Sequence, residues 1–135
     1  MISASGVLVT IGSILVALAA VLHVVIFYFE SIAWSKPATW KRFGMRSQED
    51  AEVVKPMALN QGFYNLFLAI GVFAGLIIAL AGNVDAGYAI TLFAALSMAA
   101  AATVLIISNP KLARAALTQG TLPLIGSVLL IIALL

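Results

Sequence analysis

There is no cysteine in the chain, which excludes disulfides, thiolate metal sites and a cysteine nucleophile. A single histidine, His23, excludes a multi-histidine zinc or haem site within one chain. No metal and no cofactor are therefore expected. Neither a phosphate-cradling loop nor a serine elbow occurs. Charge is scarce as well: 9% of residues are charged, where ordinary soluble domains carry about 25%. The segment Met1-Ile2-Ser3-Ala4-Ser5-Gly6 lacks the basic stretch of a cleavable secretory signal. The first apolar run is thus expected to remain as a span.

What the chain has in abundance is apolar sequence. Hydrophobic residues make up 64% of its 135 positions, against roughly 45–50% in soluble domains. The expected fold is all-α: a polytopic membrane protein with one domain, 1–135, a bundle of four transmembrane helices in two hairpins. Val7 to Phe29 holds no Asp, Glu, Lys or Arg and one histidine, His23, and covers about 35 Å as a helix, enough for a ~30 Å hydrocarbon core. The first span is placed at about 7–33. The second is placed at 57–81, the third at 88–108 and the fourth at about 111–135. Thr121 to Leu135 alone gives about 22 Å and is too short to cross. Starting the fourth span near Lys111 solves this, with Lys111 and Arg114 snorkelling to the surface.

Residues 34–56 form a polar loop. Pro37 is expected to stop the first helix, and Trp34 and Trp40 suit a headgroup layer, with the indole N–H wet. Ser47-Gln48-Glu49-Asp50 resembles a capping box. It predicts a short interfacial helix from about Gln48 to Lys55, with Pro56 in the first turn of the next helix. Gly71 and Gly75 in the second span are read as a packing surface. All seven Lys and Arg lie in the first and third loops. The positive-inside rule then places loops 34–56 and 109–114 in the cytoplasm and both termini outside the cell membrane.

Polar side chains inside lipid are costly and turn toward other helices or a cavity. His23 and Glu30 are seven apart and share a face of the first span. Gln61, Tyr64 and Asn65 are spaced i, i+3, i+4 on the second span, Asn60 is four before Tyr64, and Gln119 enters from the same side on the fourth. Together they suggest a pocket in the cytoplasmic half of the bundle, lined by the first, second and fourth spans. Each residue also has a plainer role. His23 suits a hydrogen-bonded helix contact, and Glu30 a solvated carboxylate pairing Lys36 or another loop base. Asn60, Gln61 and Asn65 suit cross-helix bonds, and Tyr64 the aromatic belt.

The run Asn60-Gln61-Gly62-Phe63-Tyr64-Asn65, followed by Phe67-Leu68-Ala69 and Gly71, resembles the signature of a family of small bacterial membrane proteins, domain of unknown function 1304. His23 with Glu30, Phe43-Gly44 and Gln119-Gly120-Thr121-Leu122-Pro123 resemble it too, so the likeness covers nearly the whole chain. Leu66 and Leu124 stand where glycine and alanine are expected. The resemblance implies four helices in a membrane and no established activity.

Three functions fit these residues. The first is binding or transport of a small amphipathic or lipid-like molecule, with Glu30 or His23 as the proton-coupled group of a transporter. The second is an accessory or oligomerising subunit, its partners copies of itself or a larger membrane complex. The third is acid–base catalysis on an apolar substrate, which a separation of seven helical positions, about 10 Å, makes difficult for His23 and Glu30 together. Membrane lipids are expected partners. Nucleic acid is not, because the loop's bases are interspersed with Glu49, Asp50 and Glu52. The orientation is testable: a reporter active only outside the cytoplasm is expected to be active when fused after Leu135 and silent when inserted in 109–114. The opposite pattern would invert the topology.

Overall fold

The computed structural model describes residues 3–135. Helix α1 runs Ala4–Phe27 and continues through a π-helical turn, Tyr28–Ile32. The short helix α2, Pro37–Trp40, and a 3-10 turn, Lys41–Phe43, form the connection to α3, Gln48–Leu80. Helix α4 is Val84–Ser108, and a 3-10 turn at Pro110–Leu112 leads into α5, Ala113–Leu134. Among the described residues there is no strand. Four helices are long and apolar enough to cross a membrane.

The four long helices form a closed ring. α1 packs on α3 and α5, and α4 packs on the same two. Successive helices are therefore antiparallel neighbours, as short connections favour. The core holds few large side chains. Val16, Val72, Met98 and Leu130 fill it between Ala19, Ala20, Ala69, Ala94 and Ala95. Small residues replace bulk because helices in lipid gain their association energy from close backbone approach. Gly12 and Gly126 show this where α1 crosses α5: a Cβ at Gly126 would lie 2.8 Å from Val16 Cγ1 and 3.0 Å from the Gly12 carbonyl oxygen. Gly75 works the same way on α4, where an added Cβ would lie 2.6 Å from the Gly87 carbonyl oxygen. The large apolar side chains point outward instead, among them Ile77, Leu80, Phe93 and Ile107.

Two expectations for the first loop are corrected. The Ser47 cap forms, its Oγ accepting from Asp50 N–H at 3.0 Å, but the helix it starts does not stop at Lys55. It runs on to Leu80 with Pro56 inside it. Proline removes one backbone bond, to the carbonyl four residues earlier. Pro56 and Glu52 are both exposed, so the freed carbonyl sits on the helix's open side and the helix persists. Trp34 and Trp40, expected with wet indoles, are buried. Trp34 Nε1–H donates to the Ala51 carbonyl at 2.8 Å, and Trp40 Nε1–H to Gln48 Oε1 at 2.9 Å. The loop folds back over the first turns of α3, making a second small core of Trp34, Trp40, Ala51 and Ala58. Gly44, at φ 81, turns the chain there, within reach of Leu112 from the other connection. Both basic connections therefore occupy one end of the bundle.

Overpacking the α1–α5 crossing should be costly. Gly126→Val is expected to destabilise by about 1–3 kcal/mol, seen as an earlier midpoint in a detergent-unfolding titration followed by circular dichroism. An unchanged midpoint would contradict the close crossing.

Candidate functional site

The buried face of α1 runs Gly12, Val16, Ala19, Ala20 and His23, at helical spacing, and Glu30 continues it. At that point the helix widens: Ala33 N–H donates to the Tyr28 carbonyl, five residues back, at 2.8 Å. Such π-turns occur mostly as single turns within α-helices, often at functional positions. Here the wider turn directs two consecutive residues at α3. Ser31 Oγ donates to the Leu59 carbonyl at 3.0 Å, and Glu30 Oε2 accepts from Asn65 Nδ2 at 2.8 Å. Asn65 Nδ2 also donates to the Gln61 carbonyl at 3.2 Å, which holds the amide in place.

Gly62 makes this approach possible. A Cβ there would collide with Ser31 Oγ and lie 3.1 Å from Glu30 Cβ. Beside it Phe27 and Phe63 meet edge to face, their centroids 5.1 Å apart. The run Asn60 to Asn65 thus supplies a bare backbone, a ring and an amide donor to one helix contact.

Glu30 is 9% exposed and Asn65 7%. Among the described residues no Lys or Arg pairs with Glu30; the ion pair present is Lys55–Glu52, at 3.4 Å. The expected pairing of Glu30 with Lys36 or another loop base is thus not found. Loop cations close to the site are engaged elsewhere, Arg42 over the Phe29 ring at 5.2 Å and Lys41 over Trp40 at 5.6 Å. Glu30 Oε1 has no protein hydrogen bond among the described residues and is not sealed from its surroundings.

Glu30 forms one wall of a cavity of about 250 Å³ with Trp34, Phe43, Met45, Val54, Met57, Ala58 and Gln61. This hollow lies between the end of α1, the loop and the first turns of α3. Of the sequence-expected residues it gathers Glu30 and Gln61, with Asn65 directly behind Glu30. The others lie apart. His23 is 2% exposed and bound to its own helix, with Nδ1 2.8 Å from the Ala19 carbonyl, an acceptor that requires the proton on Nδ1. Asn60 and Tyr64 lie on exposed sides of α3, and Gln119 is half-buried on α5. Neither His23 nor Gln119 lines the cavity, so α5 does not provide its third wall; the loop does. Tyr64 and Asn65, adjacent in sequence, point about 100° apart around α3; Asn65 is turned to α1 and Tyr64 is exposed. Sequence reasoning missed Phe43, Met45, Val54, Met57 and Ala58. The tryptophans were the usable signal, because a buried indole needs an acceptor and its neighbours close around it.

Fold and site together define a four-helix bundle long and apolar enough to cross a membrane, with a buried acid–amide pair between its first two long helices. The chain belongs to the family described as Protein of unknown function (DUF1304), whose model matches residues 17–131. No curated protein and no solved structure matches it.

The acid–amide pair has a direct thermodynamic signature. Asn65→Ala leaves a buried carboxylate oxygen without its donor and is expected to cost about 1–3 kcal/mol. In a Glu30→Ala background the same change should cost clearly less. Equal costs in the two backgrounds, measured by detergent-unfolding titration, would show that the two side chains do not interact.

Proposed function

We propose that this protein binds a small amphipathic molecule at the basic end of its bundle, on the cytoplasmic side of the cell membrane. One observation carries the reading: a buried carboxylate, fixed by an amide, lines a hollow whose other walls are mostly aromatic, thioether and aliphatic. Ligand sites commonly combine apolar walls with a few converging polar groups. The volume of about 250 Å³ is just below the usual range of roughly 300–1,000 Å³. It suits a polar head and its first carbons, with the rest of an amphiphile passing into lipid.

The orientation rests on charge. All seven Lys and Arg side chains are exposed at this end, where the positive-inside rule favours the cytoplasm. The same bases suit anionic headgroups, each worth about 1 kcal/mol near the surface, so membrane lipids are natural partners of the rim. A binding role is favoured over acid–base catalysis because His23 is tied to the Ala19 carbonyl and does not line the cavity.

Native mass spectrometry of protein extracted gently from membranes tests the reading. A small amphiphile should accompany the chain in one-to-one ratio, and Gln61→Trp, which fills the hollow from its exposed rim, should remove it. An adduct that survives Gln61→Trp, or none on the unaltered protein, would overturn the proposal.

A further inference from the structure

We infer that the occupant of this cavity carries a positive charge: an organic ammonium group with a short apolar tail. The inference rests on the binding reading above and names the ligand's class. The hydrogen-bond partner of Glu30 is a neutral amide, and its second oxygen opens on the hollow without a protein donor among the described residues, a place that a cation complements. The protein has bases in the adjoining loop, yet none is placed against Glu30. Arg42 lies on Phe29, Lys41 on Trp40, and Lys55 on Glu52. A cation arriving from outside the chain supplies what the fold withholds.

The walls suit the same chemistry. Trp34 and Phe43 stand with centroids 5.3 Å apart and planes tilted by 55°. They present ring surface to the hollow that Glu30 enters. Aromatic faces attract ammonium groups within about 6 Å, most strongly where water is excluded, and Trp is the best of them. The indole N–H of Trp34 is committed to the Ala51 carbonyl, which fixes the ring's orientation. Met45 and Met57 add polarizable, adaptable surface for a tail. An anion would find Glu30 opposing it, and a neutral alcohol would leave the carboxylate without a counter-charge.

A second, larger hollow of about 360 Å³ lies beside this one, lined by Gly44, Met45, Arg46, Asp50, Val53 and Val54. Its charged residues, Arg46 and Asp50, are exposed and of opposite sign, so it selects no ligand charge. The selectivity belongs to the Glu30 side.

The test uses the full chain in lipid nanodiscs and three probes sharing a six-carbon tail: hexyltrimethylammonium chloride, hexanol and sodium hexyl sulfate. Binding is read from tryptophan emission, since Trp34 lines the cavity and Trp40 abuts it. The expected result is saturable binding of hexyltrimethylammonium, at least tenfold tighter than either companion. Glu30→Gln, which keeps an acceptor for Asn65, should abolish that preference, and Glu30→Asp should retain part of it. If hexanol binds as tightly as the cation and Glu30→Gln changes nothing, the charge inference is overturned while the cavity still binds. Tightest binding of hexyl sulfate would overturn it too, assigning recognition to the loop bases. Saturation by none of the three would overturn the binding reading and this inference together. Should Glu30→Gln fail to fold, the ranking of probes on the unaltered chain decides.

Discussion

Asn65 reaches Glu30 because Gly62, three residues earlier on α3, carries no side chain. A single methyl at that position would meet Ser31 and crowd Glu30, and the two helices would separate at the end where the polar groups meet. The remaining features of the site follow from this approach. The π-turn presents Glu30 and Ser31 together to α3. The chain then leaves α1 close enough to α3 for Trp34 to reach the Ala51 carbonyl. With Trp34 in place, Phe43 and Met45 close the hollow from the loop side. A buried hydrogen bond to a charged group contributes roughly 1.5–3 kcal/mol. Its larger consequence is specification, since the register that satisfies Glu30 also brings Gly62 against α1.

The bundle away from this contact is a scaffold of small residues. Gly12 against Gly126 and Gly75 against Gly87 let helices touch along their backbones, which is how association proceeds where lipid removes the hydrophobic drive between helices. This leaves the large apolar side chains for the outer surface and keeps the middle of the bundle tightly filled. The hollow lies at the end, where α1 gives way to the loop.

Much of this was legible in the sequence. Apolar runs of spanning length give four helices, and the bases mark a single end. Glu30 and Asn65 were both named as site residues, because polar groups at depth must find partners. What misled was the treatment of α3 as a face and of the loop as surface. Depth does not determine direction: Tyr64, 55% exposed, and Asn65, 7% exposed, are neighbours whose directions differ by about 100°. Gln119 shared the depth but belongs to α5, which packs on α1 and lies diagonal to α3. The π-turn adds a residue to the end of α1, and no single residue type announces it. Trp34 and Trp40 looked like belt residues because composition cannot tell an indole that meets lipid headgroups from one that meets a backbone carbonyl.

The central claim is that residue 30 of α1 faces residue 65 of α3 inside the bundle. The absence of native cysteine makes it directly measurable. A Glu30→Cys, Asn65→Cys variant, treated in membranes with a short bis-methanethiosulfonate linker, should be cross-linked within one chain in high yield. Glu30→Cys combined with Tyr64→Cys should remain largely unlinked. Equal linking of the two pairs, or preferential linking of the second, would contradict the helix register on which the account rests.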